Sequence, residues 1–85
     1  YKLLNNARER IYYIEYSDKE CLETILGLFK ENGIRVLNME ITRAEESEEH
    51  NASAIFYTRI KNVKKQINIE SLLNPVQGLH LVEEL

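Results

Sequence analysis

"RIYYIEYSDKECLETILGLFKENGIRVLNMEIT", residues 10–42, decides the fold, because two kinds of periodicity meet inside it. The opening RIYYIEY is dense in β-branched and aromatic residues and reads as a strand. Ser17 and Glu20 have the spacing of a capping box, in which each side chain satisfies a backbone N–H of the other. Beyond them Leu22, Ile25 and Phe29, flanked by Cys21 and Leu28, recur at helical spacing and make one apolar stripe. Gly33 closes the helix, since it can take the left-handed conformation that a helix terminus favours. A helix over about residues 18–32 follows. Leu37, Met39 and Ile41 then alternate with Asn38, Glu40 and Thr42, the pattern of a strand with one wet face.

Outward from this core, residues 1–9 are polar with two leucines and read as a linker or lead-in, leaving 10–85 as the domain. The acidic "AEESEEHN" (44–51) is a loop, and "ASAIFYTRI" (52–60) is a third strand. "NVKKQINIESLLN" (62–74) carries a weaker helical pattern through Val63, Ile67, Leu72 and Leu73, stopped by Pro75, because the residue before a proline resists helix. "GLHLVEEL" (78–85) is a last short strand. The order is βαββαβ. Right-handed crossovers turn it into an α+β, ferredoxin-like fold, a four-stranded antiparallel sheet with two helices on one face. The first and third strands are then central and the others are edges.

The central strands are apolar on both sides. Ile11 and Tyr13 alternate with Tyr12, Ile14 and Tyr16, while Ile55 and Tyr57 alternate with Ala54 and Phe56. Helices cover only one side of such a sheet, so apolar area is left facing outward, which on a small domain marks an interaction surface. Tyr12, Tyr13, Ile55 and Tyr57 are the candidate interface residues.

Composition limits the function. A net charge of −3 runs against nucleic-acid binding, where phosphate contacts require a basic surplus. One cysteine, Cys21, allows no internal disulfide and no thiolate cage, which fits a reducing compartment. No apolar run approaches the roughly 20 residues that a spanning helix needs. The chain starts at Tyr1 without an initiator Met and reads as a piece of a longer protein.

Few residues offer chemistry. Ser17, Asp18 and Glu20 sit at a helix head, where N–H groups favour anions, but they bring two carboxylates of their own and serve first as caps. Glu45, Glu46, Glu48, Glu49 and His50 lack the spacing of a calcium loop and read as a solvated hairpin tip. His80 lies between two leucines of a strand, Cys21 is a small core residue, and Lys61, Lys64 and Lys65 form a solvated basic run. No nucleophile motif appears, so no catalysis, cofactor or metal is expected. A phosphate-binding arginine–asparagine site of acyl-phosphatase type cannot be assigned, and the basic–glycine–aromatic motif of RNA-recognition modules is absent.

The βαββαβ order, with the helix entering from Asp18 and leaving through Gly33-Ile34, resembles the ACT type of regulatory domain. More narrowly, residues 10–85 resemble the C-terminal cytoplasmic domain of the MgtC/SapB family of bacterial membrane proteins. The likeness implies a non-catalytic cytoplasmic domain of a cell-membrane protein linked to magnesium homeostasis. Its implied partner is a second copy or its own membrane domain. Amino-acid-binding ACT domains carry a glycine just after the Asp, where backbone amides close on the ligand carboxylate. Glu20 stands near that place here, so the resemblance also implies no strong small-molecule ligand at this turn. An amino-acid sensor is the alternative.

Overall fold

Six elements follow one another in a computed structural model that describes residues 8–61 and 67–85: β1 (Glu9–Tyr16), α1 (Lys19–Glu31), β2 (Ile34–Arg43), β3 (Ala52–Ile60), α2 (Ile69–Leu73) and β4 (Leu79–Glu84). The strands form one antiparallel sheet in the order β2-β3-β1-β4, so β1 and β3 are central. The linker reading of residues 1–7, and the helical pattern and basic run within 62–66, lie outside the described residues. Glu9, expected in the linker, already belongs to β1, where it pairs with Arg59.

Both helices pack on one face. Tyr12, Ile14 and Tyr16 of β1 and Ala54 and Phe56 of β3 are buried against Cys21, Ile25 and Phe29 of α1 and Ile69 and Leu73 of α2. Phe29 is the keystone. Its ring lies 6.5 Å from that of Tyr12 and meets Phe56 edge-on at 5.7 Å, a geometry that aromatic quadrupoles favour.

Four further sequence expectations need correction. Tyr12, a candidate interface residue, is 5 % exposed and points beneath the helices, because side chains alternate along β1 and Ile14 and Tyr16 share its face. The α1 cap is Asp18, not Ser17. The Asp18 carboxylate accepts from the backbone N–H of Cys21, while the N–H of Ser17 still donates to Gly78 as a continuation of the β1–β4 ladder. In β2 the register against β3 shifts between Val36 and Asn38, so Leu37 does not share a buried face with Met39 and is left 45 % exposed. The described part of the second helix is a single turn opened by Asn68, whose side chain accepts from the N–H of Ser71. Gly33, with φ at +73°, closes the first helix region as its residue type requires.

Candidate functional site

Among the described residues, the β1–α1 turn and the open face of the sheet gather polar or apolar groups in a form that can bind. The first is the β1–α1 turn. Ser17, Asp18 and Glu20 lie together there, and with Cys21, Thr24 and Leu28 they form one wall of an open depression of about 660 Å³. The other wall is the connection between α2 and β4, residues 75–78. Gly78 brings this wall close. Its φ is +93°, its carbonyl accepts from the N–H of Ser17 at 2.9 Å, and a Cβ at this position would collide with the Ser17 hydroxyl. Nothing in the sequence announces this second wall, which lies about 60 residues away along the chain.

The chemistry of the depression is anion-averse. The Asp18 carboxylate already occupies the Cys21 N–H, and Glu20, in the first turn, adds a second negative charge. Leu28, Pro75 and Val76 give the remaining lining an apolar side. Burial pushes the Cys21 thiol above its ordinary pKa, so it is a poor nucleophile at neutral pH.

The second place is the sheet face that the helices leave open. Pairing sets its side chains in ranks across the strands. Asn38, Tyr57 and Ile11 make one rank, Glu40, Ile55, Tyr13 and Glu83 the next, and Arg43, Ser53, Glu15 and Leu81 a third. The four residues Ile11, Tyr13, Ile55 and Tyr57 thus form a block at the centre of the sheet. Of the expected interface set, Tyr13, Ile55 and Tyr57 lie on this face and Tyr12 does not. Ile11 (36 % exposed) and Leu81 (38 % exposed) extend the apolar area on the same side.

One end of this face is polar. The Tyr13 hydroxyl donates to Glu15 at 2.8 Å and the Asn51 amide donates to the other Glu15 oxygen at 2.9 Å. The bond from Asn51, followed by that from Tyr13, holds the Glu15 carboxyl below the usual carboxylate range. Thr42 and the buried Ser53 share a hydrogen bond of 2.6 Å. His80 in β4 pairs at 3.5 Å with Glu46 of the β2–β3 connection, an exposed contact that counts as ionic only when the imidazole is protonated. Among the described residues, no group of three or more His, Cys, Asp or Glu side chains is placed to hold a metal ion. Nor is any described helix long and apolar enough to cross a membrane.

The sequence matches no family model and no curated protein. Among solved structures the fold is similar to that of the ACT domain from GTP pyrophosphokinase of Chlorobium tepidum. The TM-score is 0.66 at 19 % sequence identity, over 92 % of this chain and 97 % of that one. At that identity the likeness concerns the fold: a four-stranded antiparallel sheet with two helices in βαββαβ order.

Proposed function

We propose that this chain is a non-catalytic regulatory module of ACT type that works through the open face of its sheet. The observation that carries the reading is the central block of Ile11, Tyr13, Ile55 and Tyr57, set in ranks and left uncovered by either helix. Burial of such a block in a contact is favourable at about 25 cal/mol per Å² of apolar surface, which makes the face a natural point of docking. A fold shared with a domain called ACT supports the regulatory part.

In the finer reading, the module is the cytoplasmic domain of a bacterial membrane protein of the MgtC/SapB kind, linked to magnesium homeostasis. The face then serves self-association or docking to the membrane domain. The depression at the β1–α1 turn favours a second reading, an amino-acid sensor, but Asp18 and Glu20 place two carboxylates where a ligand carboxylate would sit.

Two measurements test these readings. The parent reading frame is expected to encode an apolar segment of several helices ahead of Tyr1, and a soluble enzyme domain in that position overturns the membrane placement. A thermal-shift screen against amino acids is expected to stay flat. A ligand at 100 times its dissociation constant adds about 2.7 kcal/mol of stability, so a clear shift with one amino acid would favour the sensor instead.

A further inference from the structure

We propose that the polar end of the open sheet face holds a binding site for a small neutral polyol, a sugar or a cyclitol, in the cavity between the strands and the β2–β3 connection. The site adjoins the apolar block of Ile11, Tyr13, Ile55 and Tyr57 and stands whether or not that block docks a partner.

The cavity measures about 320 Å³, at the lower end of the range of about 300–1,000 Å³ in which ligand pockets fall. On the sheet side β1 supplies Tyr13 and Glu15, β2 supplies Arg43 and β3 supplies Ser53, while His50 and Asn51 of the connection close the other side. The protein's own bonds fix these walls. The Asn51 amide reaches across to Glu15 at 2.9 Å, Glu46 meets His80 at the far edge of the sheet at 3.5 Å, and the N–H of Ser47 donates to the carbonyl of His50 at 2.8 Å. On the floor, Thr42 and Ser53 share their bond and Tyr13 donates to Glu15. Groups positioned in this way lose little freedom when a ligand binds.

Two opposite charges face the same cavity. Arg43, Ser53 and Glu15 stand in one rank, so Arg43 and Glu15 flank Ser53 with their backbones about 10 Å apart at ordinary strand spacing. Both charges reach Tyr13. The bond to Glu15 pushes the Tyr13 hydroxyl above its ordinary pKa, and Ser53 and the Arg43 charge act the other way. Among the described residues the Arg43 side chain makes no hydrogen bond or ion pair, which leaves its donors for a ligand. Glu15 keeps capacity as well. A carboxylate offers about four lone-pair sites, and Tyr13 and Asn51 take one on each oxygen.

The lining selects the class of ligand. It includes no purely apolar side chain, so a hydrocarbon ligand gains nothing there. An anion meets Glu15 and Glu49, and a cation meets Arg43. A metal ion finds no group of three or more His, Cys, Asp or Glu side chains among the described residues. A hydroxyl both donates and accepts, so neighbouring hydroxyls of a polyol answer the carboxylate and the guanidinium together, and the ligand brings no charge of its own.

Titration of the 85-residue chain with D-glucose, D-ribose and myo-inositol, followed by backbone amide NMR shifts, tests the site. At least one of the three should give saturable shifts at Glu15, Arg43, Asn51 and Ser53, with a Kd of about 1–10 mM, since each bond replaces one to water. Arg43→Met should weaken that binding about tenfold, the worth of one hydrogen bond to a charged group, while circular dichroism stays unchanged because Arg43 is exposed. Shifts that rise linearly without saturation for all three polyols would overturn the site. So would saturable shifts centred on Ser17, Asp18 and Gly78 instead, or binding indifferent to Arg43→Met. A tighter response to acetate, methylammonium or glycine than to any of the polyols would overturn the neutral class. None of these outcomes bears on docking through the apolar block, so the two readings fail separately.

Discussion

At Gly78 one backbone angle holds two distant parts of the chain together. Its φ of +93° lies where side chains are strained, and the absence of a Cβ lets its backbone rest against Ser17. Gly78→Ala should lower stability by about 1–3 kcal/mol in urea unfolding. Adding Ser17→Ala should return only part of that loss, since it relieves the contact and leaves the backbone strain. Such a glycine can be read from sequence as a turn but not as a contact, because the partner is named only when β4 closes on β1. Glu15 makes the same point: its two donors, Tyr13 and Asn51, are 2 and 36 residues away.

Among the elements, α1 was the most legible. Its apolar stripe through Leu22, Ile25 and Phe29 and its Gly33 exit are local signals that tertiary packing reinforces. Its start lies one residue beyond the cap that the Ser17–Glu20 spacing suggests, for a physical reason. Ser17 and Asp18 are both good caps, and the ladder bond from Ser17 to Gly78 keeps Ser17 at the end of the strand, leaving the cap to Asp18. Asp18→Ala should therefore cost about 1 kcal/mol by chemical denaturation, and Ser17→Ala less than half as much. β2 was legible as a strand but not in its facing, because a register shift near Leu37 alters the alternation on which any such reading depends. The five-residue α2 begins at the Asn68 cap, so the apolar spacing that runs back to Ile67 overstates the helix at that end.

Across the whole molecule, the link from β1 to the β2–β3 connection makes one contribution to stability that depends on pH. Asn51 and Tyr13 favour the charged Glu15 carboxyl, so its folded pKa lies below that of the unfolded chain. As pH falls, the unfolded chain takes up the proton first. The contribution is complete above the unfolded value of about 4.3 and is lost as pH falls through the lower folded value. Glu15→Gln should thus be less stable than the parent at pH 7, and the gap should narrow in urea midpoints as pH falls below about 4.3. The two-helix, four-stranded architecture and the apolar character of β1 and β3 were determined by the sequence itself, since alternation and helical periodicity are local properties of a chain. The tertiary structure alone decided which tyrosines face outward, which residue caps α1, and that residues 75–78 wall the β1–α1 turn. Those depend on register and on contacts between segments far apart in the chain, and a one-residue slip reverses a facing without changing a single letter of the sequence.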